Sequence, residues 1–239
     1  MKAKNKFLVY NNCMELNKLK GKIIVSVQAA KGEPLYDEVC INALLKSVVN
    51  GGASAVRVAG CRDVKNAKKL LNVPVIGLTK PEVMPEHPEK VVYITPTIED
   101  IENLIDAGAD IVAFDATLRK HDFDFSEALK IIHSKNRLAM ADIATFDEGI
   151  NCAKLGFDII STTLSGYTQE SLKDTDEPDF DLLEKLTKSV DVPIFAEGRF
   201  WERNQVKKAF ELNAHSVVIG SAITRPQLIT KRFTNFGEV

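Results

Sequence analysis

Short apolar stretches recur along the chain, separated by longer segments that carry polar and apolar residues at helical spacing. Four of these stretches follow a helix-ending glycine or asparagine and a brief turn, namely residues 52–58, 108–114, 156–162 and 213–219. Four more alternate with them at residues 23–27, 73–77, 137–141 and 192–196. Near-continuous apolar runs of this length are typical of strands in a parallel sheet that is buried on both faces. The pattern therefore predicts eight parallel strands.

The segments between the strands have the features of helices. Thr97-Ile-Glu-Asp100 and Thr145-Phe-Asp-Glu148 resemble capping boxes, and the second has the S/T-x-x-E form. An apolar stripe at helical spacing follows the first, formed by Ile98, Ile101, Leu104 and Ile105. Eight alternating strands and helices predict an α/β fold, a single (β/α)8 TIM barrel, which typically needs about 250 residues. An open doubly wound sheet is the alternative, because periodicity does not reveal closure.

Two stretches depart from the repeat. Residues 81–90 contain three prolines and no helical pattern, and residues 91–94 form a short extra strand-like run. Residues 165–178 are rich in Ser, Thr, Gly and Asp. Both follow a strand, so we expect both on the catalytic face, where long loops tend to be functional. Neither resembles a linker. We therefore predict one catalytic domain over residues 1–239, with residues 1–20 as an N-terminal extension or short helix.

Composition excludes several functional classes. A net charge of −2 and a pI near 6.1 give no basic face for nucleic acid. The first ten residues contain only four apolar residues in a row, too few for a signal peptide, and no run reaches membrane length. We expect a cytoplasmic protein with reduced thiols, because its four cysteines form no C-x-x-C pair. Its four histidines show no zinc-ligand spacing, so no metal site is predicted.

Polar residues stand where the predicted strands end. In chain order they are Gln28, Arg57, Lys80, Asp115, Asp142, Thr163, Glu197 and the Gly220–Ser221 turn. An unpaired charge is costly to bury, so each charged side chain must be paired or solvated in a cleft. Local caps or ion pairs partly explain the two aspartates. Convergence of the whole set at one rim is best explained by a functional site.

The order of the strands suggests the chemistry. Lys80 ends predicted strand 3 and Glu197 ends predicted strand 7, four strands apart in a barrel of eight, so the two side chains approach the barrel mouth from opposite sides. A base on one face of a substrate and an acid on the other is what inversion at a carbon centre needs. Lys80 acts as a base only if its pKa falls from about 10.4 towards ~7–8, through burial or a cationic neighbour. Arg57 is a candidate for that neighbour, or for holding the oxygen of an enolate.

The last two strands end in turns that suit a phosphate group. Ile194-Phe-Ala-Glu-Gly-Arg199 and Val217-Val-Ile-Gly-Ser-Ala-Ile-Thr-Arg225 each run from an apolar strand through glycine into a helix start. In TIM barrels the turns after strands 7 and 8 often hold phosphate on backbone N–H groups. We therefore predict a phosphorylated substrate. The residues assigned to bind it in these turns are Gly198, Arg199, Gly220, Ser221 and Arg225.

These residues also resemble those of a known family, the N-acylglucosamine-6-phosphate 2-epimerases, also called N-acetylmannosamine-6-phosphate epimerases. The resemblance extends over nearly the whole chain after residue 20. Its main segments are Ile24-Val-Ser-Val-Gln-Ala29, Val75-Ile-Gly-Leu-Thr-Lys80, Tyr93-Ile-Thr-Pro-Thr97, Met140-Ala-Asp-Ile143, Ser165-Gly-Tyr167, Ala196-Glu-Gly-Arg199 and Gly220-Ser-Ala-Ile-Thr-Arg-Pro226. The family implies conversion of N-acetylmannosamine 6-phosphate to N-acetylglucosamine 6-phosphate by proton transfer at C2, without a cofactor, in amino-sugar catabolism. Dimers are common in it, so we expect a homodimer.

The resemblance also assigns roles to residues. It implies that Lys80 is the base and Glu197 the proton donor on the other face. It places Gln28, Arg57 and Asp142 around the sugar and Arg225 at the phosphate. The segment after Lys80 departs from the family, because Pro-Glu-Val stands where a second basic residue is usual. Val27 replaces a usual cysteine, and residues 118–121 are less proline-rich than expected.

Two other functions remain open on the residues alone. A lyase would use Lys80 to form a Schiff base with a sugar phosphate. A regulatory protein that binds phosphosugars would bind its ligand without turnover. The pair Lys80 and Glu197, together with the whole-chain resemblance, favours the epimerase.

Overall fold

The computed structural model describes residues 16–235, which form a closed barrel of eight parallel strands in the order β1 to β8. The strands are β1 (Lys22–Val27), β2 (Ala55–Ala59), β3 (Val75–Leu78), β4 (Ile111–Asp115), β5 (Leu138–Asp142), β6 (Ile159–Ser161), β7 (Ile194–Glu197) and β8 (Ser216–Ile219). The barrel closes where β8 pairs with β1, with Lys22 opposite Ser216. Closure confirms the predicted TIM barrel over the open sheet.

Nine helices that lie wholly within residues 16–235 accompany these strands. They are α1 (Glu38–Asn50), α2 (Cys61–Leu70), α3 (Ile98–Asp106), α4 (Phe125–Ser134), α5 (Phe146–Leu155), α6 (Phe180–Ser189), α7 (Arg203–Glu211), α8 (Ser221–Thr224) and α9 (Pro226–Thr234). None of the helices between residues 16 and 235 is long and apolar enough to cross a membrane.

Side-chain caps fix where several helices begin. Thr145 and Glu148 form the predicted capping box at α5. Thr97 caps α3 by accepting a hydrogen bond from the backbone N–H of Asp100. Helix α5 ends at Gly156, whose φ of 95° lies in the left-handed region that glycine adopts without strain. The chain therefore turns from helix to strand where the sequence pattern predicted.

One sequence prediction needs correction, and another lies partly outside the described residues. Residues 91–94 form no strand, although the backbone N–H of Asp115 donates to the carbonyl of Ile94 at 3.1 Å. This single hydrogen bond links residues 91–94 to β4, but it is not part of a repeated strand pairing. Of the predicted N-terminal extension, residues 1–15 lie outside the described part; Leu16 and Asn17 are helical.

The interior of the barrel has two distinct layers. Alternate strand positions point inward, and the lower ones are apolar, including Ile24, Ala55, Ile76, Ile111, Leu138 and Ile159. The inward positions nearest the carboxyl ends of the strands are mostly polar, including Ser26, Arg57, Asp142, Ser161 and Glu197. Outward positions such as Val25 and Val75 join the larger core between the strands and helices. The hydrophobic material thus closes the lower barrel and leaves a polar layer beneath the mouth.

Candidate active site

A cavity of about 590 Å³ opens at the carboxyl ends of the strands. Its lining includes most of the predicted site residues: Gln28, Arg57, Lys80, Thr163, Glu197, Gly198, Arg199, Gly220, Ser221 and Arg225. Asp142 does not line it, and neither does Asp115. The strand-end residues therefore converge as predicted, except for the two aspartates.

Arg57 forms the floor of the site. Its side chain is only 1% exposed, and its two terminal nitrogens bind both carboxylate oxygens of Asp142 at 2.9 and 2.6 Å. Nη1 also lies 3.0 Å from Oε2 of Glu197. Burial alone would lower the pKa of Arg57, but the two carboxylates outweigh it and hold that pKa above its ordinary value. Arg57 is therefore a fixed positive charge under the cavity.

Asp142 is fully buried and does not line the cavity, and its assignment to the surroundings of the sugar stays a prediction. Oδ1 accepts hydrogen bonds from Arg57 and from the Thr163 hydroxyl, the latter at 2.7 Å, and Oδ2 accepts from Arg57. In this structure Asp142 orients Arg57 and Thr163.

Glu197 presents one oxygen to the cavity. Oε2 pairs with Arg57 and lies 3.1 Å from the Thr163 hydroxyl, whose one proton is shared between this oxygen and Oδ1 of Asp142; the Ser161 hydroxyl lies 3.5 Å away. Oε1 accepts no hydrogen bond from any residue between 16 and 235. Burial raises the pKa of Glu197, and the charge of Asp142 raises it further, while Arg57 opposes both. This carboxyl is therefore more easily protonated than an ordinary glutamate.

Lys80 follows β3 and is held by its neighbour in the chain. The backbone N–H of Thr79 donates to the Thr95 hydroxyl at 3.0 Å, and the N–H of Thr95 donates to the Thr79 carbonyl at 3.1 Å. The same hydroxyl donates to the carbonyl of Ala113 on β4 at 2.7 Å. Thr95 is fully buried and adopts a φ of 48°. The residue before Lys80 is thereby fixed to the sheet.

The environment of Lys80 lowers the pKa of its ammonium group. Lys80 is exposed to solvent where it lines the cavity. Loss of hydration, followed by the positive charge of Arg57, lowers the pKa of Lys80 to about 8. Glu197 and Asp142 act in the opposite direction, and Arg225 lowers the pKa slightly more. A useful fraction of Lys80 is therefore neutral near pH 7.

The two turns predicted to bind phosphate, after β7 and after β8, contribute Gly198, Gly220 and Ser221 to the lining of the cavity. Ser221 begins α8, and the first N–H groups of a helix have no partner inside it. Arg225 directly follows α8, and its Nη2 lies 3.3 Å from a carboxylate oxygen of Glu33. Gln28, directly after the neighbouring strand β1, donates to the Ser26 hydroxyl at 2.8 Å.

Arg199 lines the cavity but directs two donors elsewhere. Nε donates to the carbonyl of Glu177 at 2.7 Å, and Nη1 donates to the carbonyl of Ser165 at 2.8 Å. Its assignment to substrate binding stays a prediction, because these contacts are with the loop between β6 and α6.

Asp115 takes part in a structural ion pair. One carboxylate oxygen accepts hydrogen bonds from the N–H and hydroxyl of Thr117, and the other pairs with Arg119. Arg119 also donates to the carbonyls of Pro88 and Val91. Asp115 therefore anchors the loop between β3 and α3 and stays out of the cavity.

Sequence reasoning missed several lining residues. Tyr93 and Tyr167 both face the cavity, as does Trp201 from the turn after β7. The two tyrosines lie in segments that already carried the family resemblance, and Trp201 is the only tryptophan of the chain. Glu82, in the segment that departs from the family, pairs with Lys31 at 2.5 Å at the exposed rim.

Comparisons with known proteins identify similar sequences and structures. A family model described as "Putative N-acetylmannosamine-6-phosphate epimerase" matches residues 41–237. A Clostridium perfringens relative named "Putative N-acetylmannosamine-6-phosphate 2-epimerase" is 43% identical over 222 residues, covering 92% of this chain and 98% of the relative. One of the same name from Caldanaerobacter subterraneus subsp. tengcongensis is 47% identical over 225 residues, covering 92% and 93%.

Solved structures show the same architecture. The N-acetylmannosamine-6-phosphate 2-epimerase of Clostridium perfringens is similar with a TM-score of 0.87 and 42% identity, over 93% of this chain and 96% of that one. Thiamine phosphate pyrophosphorylase from Pyrococcus furiosus has a TM-score of 0.62 at 16% identity, over 90% and 92% of the two chains. The second likeness shows the fold alone.

Proposed function

The chain belongs to the N-acetylmannosamine-6-phosphate epimerase family, and on that premise we propose that it converts N-acetylmannosamine 6-phosphate to N-acetylglucosamine 6-phosphate by proton transfer at C2. One observation supports this chemistry most directly. Lys80 and Glu197 come from strands on opposite sides of the closed barrel, and both line one cavity above Arg57. A planar intermediate between them would be reached by a base on one face and an acid on the other.

The first half of the reaction removes a proton. The open-chain form of the sugar places the C2–H bond next to the C1 carbonyl, which makes that proton acidic. Neutral Lys80 takes the proton, and the electron pair of the C2–H bond moves into the C1–C2 bond while the carbonyl oxygen gains negative charge. Arg57, charged and fixed beneath the cavity, stabilises that enolate electrostatically.

The second half returns a proton to the other face. Oε1 of Glu197, the oxygen left without a partner among residues 16–235, donates it to C2, and the carbonyl forms again. Carbon configuration is inverted, with no change in oxidation state and no cofactor. Lys80 ends protonated and Glu197 ionised, which are the states needed for the reverse reaction. Exchange with solvent restores the starting states.

The remaining assignments hold the substrate in place. Arg225, with the backbone donors of Gly198, Gly220 and Ser221, binds the phosphate, and Gln28 contacts the sugar. Arg225 supports this because a guanidinium forms strong charge-assisted hydrogen bonds with phosphate. We further propose that the enzyme is a single-domain homodimer of the cytoplasm. Light scattering after size exclusion measures the oligomeric state directly.

Proton NMR in D₂O tests the proposed reaction. N-acetylmannosamine 6-phosphate is incubated with the enzyme without added metal or nucleotide, and the C2 signal of the product is followed. Product that carries deuterium at C2 supports deprotonation and reprotonation. Conversion with the C2 hydrogen retained would contradict transfer between two solvent-exchanged groups. Absence of conversion would reject the function, and borohydride trapping of Lys80 would then identify a Schiff-base lyase.

A further inference from the structure

Arg199 joins the two ends of the loop between β6 and α6 (residues 162–179). Its Nη1 donates to the carbonyl of Ser165, near the start of the loop, and its Nε donates to the carbonyl of Glu177, near the end. Hydrogen bonds from a charged guanidinium are stronger than those between neutral groups. A single side chain thus closes the loop.

The residues after Ser165 are shaped around this guanidinium. Gly166 adopts a φ of 83°, and a Cβ placed on it would lie 2.7 Å from Nη1 of Arg199. All three of its nearest atoms belong to Arg199. The next residue, Tyr167, places its ring 5.4 Å from Cζ of Arg199. The loop therefore accommodates Arg199 because Gly166 has no side chain to collide with the guanidinium and the ring of Tyr167 lies beside it.

The backbone around Arg199 directs it towards the loop. Arg199 adopts a φ of 59°, which is uncommon for a residue other than glycine, directly after Gly198 with a φ of 110°. These two residues follow Glu197, at the end of β7. The turn that presents the proposed acid is thus also the turn that holds the loop.

The loop held in this way is a wall of the cavity. Tyr167, Lys173, Thr175 and Asp176 all line it. The backbone N–H of Gln169 donates to the carbonyl of Glu89 at 3.0 Å, which links the wall to the loop that follows Lys80. We call Arg199 and its hydrogen bonds to the carbonyls of Ser165 and Glu177 the clasp. Release of the clasp would therefore alter the cavity next to both proposed proton carriers, Lys80 and Glu197.

We propose that Arg199 is a positioning residue that holds the β6–α6 loop closed as a wall of the cavity, and that Gly166 is required to give it room. The kinetic consequence rests on the proposed function, whereas the structural consequence does not. A closed loop excludes water and keeps the wall against the substrate, so its release raises KM more than it lowers kcat.

Hydrogen–deuterium exchange of the loop amides, with KM and kcat, tests this in Arg199→Ala, Gly166→Ala and the double variant. Arg199→Ala should speed exchange of residues 166–177 by roughly tenfold or more, the loss expected for one charge-assisted hydrogen bond. Arg199→Lys should give a smaller increase, because an ammonium does not span both carbonyls. Gly156→Ala, at another glycine with positive φ (95°) and open space, shows how much backbone strain alone speeds exchange of the amides beside a substituted glycine.

The double variant decides the outcome. If Gly166→Ala acts by displacing Arg199, the loop amides of the double variant should exchange faster than those of Arg199→Ala by no more than the factor that backbone strain causes in the control. Additive effects, or a higher KM in Arg199→Ala with unchanged loop exchange, would overturn the clasp and make Arg199 a direct substrate ligand. If wild-type enzyme shows no epimerase activity but the exchange pattern holds, the clasp stands and the proposed function fails.

Discussion

The hydroxyl of Thr163 lies 3.1 Å from Oε2 of Glu197 and 2.7 Å from a carboxylate oxygen of Asp142. It therefore joins the proposed acid to the carboxylate that orients Arg57. Since Oε2 is occupied, Oε1 is the oxygen left to exchange a proton with substrate. Thr163 supports the chemistry without having to touch the reacting carbon.

Replacement of Thr163 tests this support. Thr163→Val should lower kcat roughly tenfold to a hundredfold, the range for one hydrogen bond to a charged group. The Thr163 hydroxyl lowers the pKa of Glu197, so its loss should raise that pKa and move the rising side of the pH–rate profile to higher pH. Thr163→Ser keeps the hydroxyl and serves as the control. Equal kcat in all three proteins would show that Glu197 is oriented by Arg57 alone.

The two proposed proton carriers should each be indispensable. Glu197→Gln and Lys80→Ala are each expected to lower kcat by about 10²–10⁴-fold, as measured by NMR. Both variants should still bind the substrate, because its phosphate group is held by other residues. Lys90→Ala, in the same loop as Lys80, controls for loss of a lysine charge. Near wild-type turnover in either variant would reject the two-residue mechanism.

The pH–rate profile should be bell-shaped, with its falling side near pH 8. The active enzyme carries one proton on the pair formed by Lys80 and Glu197, in either of two arrangements. Activity rises as the first proton leaves the pair and falls as the second leaves Lys80, whose pKa is about 8. A profile of kcat from pH 5 to 10 measures this. A plateau that continues to pH 10 would show that Lys80 titrates at an ordinary pKa and is not the base.

Arg225 should affect both binding and titration. Arg225→Gln is expected to raise KM about tenfold to a hundredfold and to weaken inhibition by inorganic phosphate, because charge-assisted contacts are lost. Its positive charge also lowers the pKa of Lys80, so the falling side of the profile should move to higher pH. Arg62→Gln, at an exposed arginine outside the cavity lining, is the matched control. Unchanged KM and phosphate inhibition would place the phosphate elsewhere.

The packing outside the barrel makes a separate prediction about stability. Gly77 on β3 leaves no room for a side chain, since a Cβ would lie 3.0 Å from that of Ala109 and 3.1 Å from Cγ2 of Val64. Gly77→Ala should lower the free energy of unfolding by about 1–3 kcal/mol in urea denaturation. A variant as stable as wild type would mean that the adjoining side chains relax freely.

Much of this architecture was predictable because it depends on local periodicity. Glycine or asparagine before an apolar run located half of the strands, and the capping pattern located the start of α5. The positions of Lys80 and Glu197 at one mouth followed from strand order alone. The partners of the charged residues did not, because they depend on distances between strands far apart in the chain. Asp142 thus lies buried against Arg57 and Thr163, and Arg199 contacts a loop, which the strand order did not indicate.

The division of the barrel interior has a consequence for redesign. The apolar residues that close the barrel lie in the lower layer, while the charged network occupies only the layer beneath the mouth. Changes to substrate preference can therefore be sought among loop residues such as Tyr167 and Asp176 without altering the interior that stabilises the fold. Such a separation makes this scaffold a favourable starting point for laboratory evolution towards other phosphorylated sugars.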